Sequence, residues 1–256
     1  MIENPLPLIV CVTSGKGGVG KTSLTVNLGL CLSRADLRVL IVDGDMGLAN
    51  VDLMLGLEVG RTVRDVLEGD AEPEDALVWP DHGLAVLPAT SGVPEMVSMG
   101  PEDQARLGEY LGRLATGFDV VLMDTAAGIG SSVLWFNDYA QGNIVVMTPD
   151  PTAVTDAYAL IKVLRQRYGK DHFHVVVNDT ASDHEGRRVY DNIARVADTY
   201  LQVTLNYLGS VPSDPAVRQA VRQQRPFCAT APDGRAARAV EAIGTRIRSL
   251  MTDPKP

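Results

Sequence analysis

The chain has 256 residues, 45% of them hydrophobic and 21% charged, values of an ordinary globular domain that exclude disordered, collagen-like and coiled-coil classes. With 5% aromatic residues and a formal net charge of −9, neither base stacking nor a global attraction to DNA or anionic lipid is expected, so nucleic acid is not an expected partner. Cys11, Cys31 and Cys228 lie far apart with no C-x-x-C, residues 1–7 lack a basic leader segment, and no run approaches the ~18 apolar residues of a membrane span, so a disulfide scaffold, a cysteine-held cluster and a secreted or spanning chain are set aside in favour of a cytoplasmic location.

In chain order, the first element is a short apolar run at residues 8–12. A Gly-rich segment follows, then a helical pattern through Leu24, Leu28 and Leu32. Further runs occupy 39–42, 84–87, 120–123, 144–147, 175–177 and 205–211. They are nearly continuous in apolar residues, which predicts strands buried on both faces, as in a parallel sheet. Between them, Leu107, Leu111 and Leu114 keep helical spacing. So do Val154, Ala157, Leu160, Ile161, Leu164 and Tyr168, and again Val189, Ile193, Val196 and Tyr200. His172 and His174 flank a strand start and read as structural. The alternation predicts one α/β domain over 1–256, a doubly wound, mostly parallel sheet of about seven or eight strands flanked by helices. Residues 234–256 form a last helix and short tail. In such sheets ligands bind beyond the carboxyl ends of the strands.

The strongest motif lies there. Gly15, Gly20, Lys21 and Thr22 satisfy G-x-x-x-x-G-K-[ST] between a strand and a helix, the context this phosphate loop requires. Curled backbone over Gly15, Lys16, Gly17, Gly18, Val19 and Gly20, with the helix start at Lys21, Thr22 and Ser23 behind it, points N–H groups at phosphate oxygens. Lys21 adds a cation at the β/γ phosphates, and the Thr22 hydroxyl suits Mg²⁺. Asp43 and Asp45, at i and i+2 after the second run, project to one side. Both can face a Mg-phosphate, with Asp45 a candidate metal ligand; Asp43 faces the metal's water shell or caps the strand. Asp124, after four apolar residues, is placed to hold Mg²⁺ directly or through water. Mg²⁺ is inferred from the triphosphate, since the sequence offers no all-protein metal cage.

Lys16 is surplus to a generic phosphate loop. Lys16-Gly17-Gly18-Val19-Gly20-Lys21-Thr22 resembles the deviant phosphate loop of the MinD/ParA ATPases, P-loop NTPases of the SIMIBI type. The resemblance implies ATP as the nucleotide and a homodimer when ATP is bound. Lys16 would then reach the partner subunit's nucleotide as an arginine finger does, and Asp45 would orient the attacking water. It also implies that Asn178 meets adenine and that Pro212 and Asp214 belong to a loop closing over the base.

Longer stretches narrow the likeness. The segments 43–52 (DGDMGLANVD), 65–69 (DVLEG), 88–92 (PATSG), 124–129 (DTAAGI) and 151–162 (PTAVTDAYALIK) resemble the flagellar number regulators FlhG and FleN. The expected function is therefore a slow ATPase switch regulating flagellar number or placement. Its expected partners are the SRP-type GTPase FlhF, flagellar switch proteins or a flagellar transcription activator. A DNA-partition or division-site ATPase is the alternative. The D-Q-A segment with which such regulators stimulate their GTPase is not at the N-terminus; Asp103-Gln104-Ala105 reads as a helix start after Pro101. In the last helix, Val240, Ile243, Ile247 and Leu250 form an apolar stripe beside Arg235, Arg238, Arg246 and Arg248. That composition suits either peripheral attachment to the inner face of the cell membrane or docking on the sheet with the arginines in solvent.

Overall fold

The computed structural model describes residues 6–47, 49–89 and 100–252. The eight strands are β1 (Leu8–Ser14), β2 (Val39–Gly44), β3 (Val78–Asp81), β4 (Leu84–Leu87), β5 (Val120–Ala127), β6 (Gly142–Met147), β7 (His172–Thr180) and β8 (Thr204–Pro212). They form one sheet in the order β3-β4-β2-β5-β1-β6-β7-β8, parallel throughout except for the β3–β4 pair. The seven apolar runs are the parallel strands. The eighth strand, β3, escaped the sequence reading for a physical reason. It is an edge strand with alternating exposure and contains Pro80, which an edge tolerates and an interior strand does not.

Helices cover both faces. On one lie α1 (Lys21–Ser33), the short α8 (Pro215–Arg222) and α9 (Phe227–Thr230), and α10 (Arg235–Thr252). On the other lie α3 (Val63–Glu68), α4 (Pro101–Ala115), α5 (Ser131–Tyr139), α6 (Pro151–Tyr168) and α7 (Asp183–Leu201). A one-turn helix, α2 (Val51–Leu55), follows β2. Alternate residues of each central strand enter opposite cores: Ile41 and Leu122 face α1, whereas Leu40 and Met123 face α4 and α5. Two-sided burial is why these strands carry no polar alternation.

Several stretches quoted for the flagellar resemblance are helix punctuation. Asp65 accepts the Thr62 N–H at 2.7 Å and caps α3, which Gly69 ends in the left-handed region. Asp150 accepts the Thr152 N–H at 2.8 Å at the start of α6. Residues 103–105 lie in the first turn of α4 after Pro101, as the sequence suggests. Leu48, residues 90–92 and residues 253–256 lie outside the described residues.

The last helix settles between its two expected settings. Val240, Ile243 and Ile247 are at most 1% exposed, packed in the core with α1 and β8. Three of the four stripe residues are thus packed into the fold, and Leu250 is partly exposed. Among the described residues, no helix is long and apolar enough to cross a membrane.

Candidate active site

The three strands β2, β5 and β1 lie side by side and end together at the first turn of α1. Between β1 and α1 the backbone must turn through a space with little room for side chains. A Cβ on Gly15 would lie 2.1 Å from the Asp156 carbonyl oxygen of α6. Gly20 adopts φ +87°, and a Cβ there would meet Asn178 Nδ2 at 2.2 Å. Glycine is therefore required at both ends of the loop by close approach, and at Gly20 by conformation as well.

The loop opens into a cleft of about 530 Å³ lined by residues 16–23, Asp45 and Ala127, with Leu53, Met54 and Val221 at its apolar side. That volume is in the range of small-molecule sites. The Ser23 Oγ is buried with no hydrogen-bond partner among the described residues. A buried hydroxyl without a partner is costly, and a phosphate oxygen would satisfy it. The residues present thus fit a nucleotide.

Three acidic residues behave differently. Asp124, 1% exposed, accepts from Thr22 Oγ1 at 2.6 Å and Thr25 Oγ1 at 3.0 Å, and its Oδ1 lies 3.7 Å from Lys21 Nζ. Burial pushes its carboxyl up, while Lys21 and the two hydroxyls pull it down. The Thr22 and Asp124 oxygens are the hard donor set that Mg²⁺ prefers. Asp45 lines the cleft itself, close enough for its charge to raise Asp124 further. Asp43 is 1% exposed and faces inward. It accepts the N–H groups of Asp45, Asn50 and Val51 at 3.0, 3.1 and 3.2 Å. Burial, then the charge of Asp124, raises its pKa to about 7 against those donors. Asp43 is thus the cap that shapes the loop carrying Asp45, the second of the two settings the sequence left open.

The two lysines part company. Lys21 is 8% exposed and points at Asp124. Lys16 lies at the lip, its Nζ 2.8 Å from Asp150 Oδ2 and bonded also to Thr152 Oγ1. The Lys16 hydrogen bond, then the Thr152 donors, hold the Asp150 carboxyl down at about 2. Ala127 reaches the cleft wall, and the next residue, Gly128, donates its N–H to the Ser14 carbonyl at 2.9 Å.

The expected base-side residues are held by contacts within the protein. Asn178 donates from Nδ2 to the Val19 carbonyl at 2.8 Å and so braces the phosphate loop from behind. The Asp214 carboxylate accepts from Ala216 at 3.0 Å and Ala236 at 3.3 Å, capping α8 and the start of α10. Pro212 lines a separate groove beside β8 and α10. None of the three lines the phosphate cleft. Sequence reading missed Thr25, one turn after Thr22, and the Asp150–Thr152 pair, whose only signal was a helix-capping D-P-T.

Comparison with known proteins agrees with this geometry. The ParA family model, described as "NUBPL iron-transfer P-loop NTPase", matches residues 6–248. Among the described residues, no group of three or more His, Cys, Asp or Glu is arranged to hold a metal ion. The antiactivator FleN of Pseudomonas aeruginosa is 42% identical over 97% of this chain and 89% of its own. The flagellum site-determining protein YlxH of Helicobacter pylori is 31% identical over 95% and 83%. The septum site-determining protein MinD of Pyrococcus horikoshii, solved with Mg-ADP, superposes with a TM-score of 0.80 at 26% identity, over 95% of this chain and 97% of its own. The chain belongs to the ParA family of P-loop NTPases, with flagellar regulators and MinD proteins among its relatives.

Proposed function

We propose that this chain is an ATP-dependent switch ATPase that dimerises across its nucleotides and regulates flagellar number or placement. The flagellar part is supported by the likeness to FleN and YlxH. The observation that carries the dimer is the separation of the two lysines: Lys21 serves its own cleft, while Lys16 rests at the lip on an exposed partner. Exposed ion pairs hold weakly, so Lys16 can exchange Asp150 for phosphate oxygens of a second subunit at little cost.

Loop N–H groups, Lys21 and the Ser23 hydroxyl would bind the phosphates. Thr22, Asp45 and Asp124 would hold Mg²⁺, which supplies charge neutralisation when bound. Asp45 would orient the water that attacks the γ-phosphorus while the bond to the leaving ADP oxygen breaks. Lys16 of the partner would meet the charge on the transferring group. Asn178, Pro212 and Asp214 would act on the base side by positioning the loop and the turn before α8. Hydrolysis separates the subunits, and the partner of each state is a flagellar protein, with a transcription activator favoured by the antiactivator relative and FlhF or switch proteins as the other candidates. The expected location is cytoplasmic.

Sizing the protein with ADP and with a slowly hydrolysed ATP analogue tests the switch. A monomer with ADP and a dimer with the analogue are expected. A monomer in both overturns the reading.

A further inference from the structure

Two of the three cysteines meet at the end of α1 opposite the nucleotide cleft. Asn27, Cys31 and Arg34 stand at i, i+4 and i+7, on one helix face. α9 crosses that face with a single residue clamped at both ends. The Cys228 N–H donates to Asn27 Oδ1 at 2.8 Å, and Arg34 Nη1 donates to the Cys228 carbonyl at 3.0 Å. The clamp sets Cys228 over position 31. A cavity of about 240 Å³, lined by both cysteines, Arg34, Glu241 and Arg248, opens beside them. Cys31 is partly exposed and Cys228 is buried.

We propose that Cys31 and Cys228 are a reactive dithiol, Cys31 attacking and Cys228 resolving, that takes a low-molecular-weight disulfide as its substrate. The asymmetry of the pair sets the order. Cys31 is partly exposed and shares the cavity with the Arg34 guanidinium, whose charge favours its thiolate. Burial pushes the Cys228 thiol up. The thiolate is the nucleophile, so the lower, accessible thiol reacts first. Cys31 S⁻ attacks one sulfur of RSSR, forming Cys31–S–SR and expelling RS⁻. Cys228 then loses its proton and attacks the Cys31 sulfur, forming the Cys31–Cys228 bond and expelling the second RS⁻. Two protein thiols are oxidised by two electrons, RSSR is reduced to two RSH, and the two cysteine protons end on the leaving thiols. The bond would join the helix that begins at Lys21 to the segment leading into α10.

The test uses the full chain, reduced, then incubated with oxidised glutathione, acid-quenched and mapped by mass spectrometry without reduction. The expected product has lost two thiols and yields one peptide pair linked through Cys31 and Cys228, reversed by a dithiol reductant. Cys11, with 0% exposure on β1, stays available to alkylation only after unfolding. Cys228→Ser should stop at one glutathionyl group on Cys31, and Cys31→Ser should take up none. Wild-type protein that keeps glutathione on Cys31, links a cysteine pair that includes Cys11, or does not react overturns the proposal. Uptake at Cys228 in Cys31→Ser overturns the assigned order.

Discussion

The two ends of α1 answer opposite demands. Its first turn, at Lys21 and Thr22, is polar and open: charges and hydroxyls from β5 and the phosphate loop converge there and leave a cleft. Its last turns pack against α10, where a Cβ on Gly244 would sit 3.5 Å from Leu28 and 3.7 Å from Leu32. Between the ends, α1 buries residues on every side rather than along one stripe. One helix thus serves both as a phosphate cradle and as a central core element. Damage at one end should change chemistry and damage at the other should change stability.

The largest expected effect is at the open end. Lys16→Ala should keep ATP binding and lower phosphate release by about 10³-fold or more, the low end of what a finger residue supplies. Turnover near wild type would mean that Lys21 suffices and the cleft is complete in one subunit. At the closed end, Ile243→Ala should cost about 2–5 kcal/mol in denaturant unfolding, as for other buried Ile truncations. A cost below ~1 kcal/mol would show that α10 is an appendage and would erase the contrast. Lys21→Ala should weaken nucleotide binding by about 10–10²-fold, the worth of one charge-assisted hydrogen bond, measured by titration. An accompanying global loss of stability as large as that of Ile243→Ala would join the two ends.

The gentlest effect is pH dependence, at most about 1.4 kcal/mol per pH unit for one group. The folded chain holds the Asp43 proton up to about pH 7, whereas an exposed aspartate ionises at about pH 4. The native state therefore binds the proton more tightly. This group's contribution to stability is full below about pH 4 and is lost as pH rises through about 7. Thermal midpoints of wild type and Asp43→Asn from pH 4 to 8 should diverge in slope in that window. Parallel curves would place the Asp43 carboxyl in a solvated setting.

Most of the architecture and the centre of the site were legible. Lys21, Thr22 and the loop glycines announce themselves because a phosphate loop is local: its spacing alone dictates its backbone. Asp124 was legible because a carboxylate after four apolar residues marks where a buried run turns polar, although β5 itself continues to Ala127. The setting of Asp43 was not, since its three N–H partners belong to a loop whose path only the fold defines. Likewise, Asn178 braces Val19 across 159 residues of chain, and Lys16 meets Asp150 across 134.

Taken alone, the residues of this chain determined an α/β sheet buried on both faces and a phosphate cradle at its carboxyl edge. Both follow from short-range rules, namely apolar runs without alternation and glycines where side chains do not fit. Tertiary structure decided where the stripe of α10 is spent, which carboxylate faces the cleft, where Lys16 rests, and that Cys31 meets Cys228. Each of these depends on groups far apart in the chain, whose encounter is governed by packing and by the need to pair every buried polar atom.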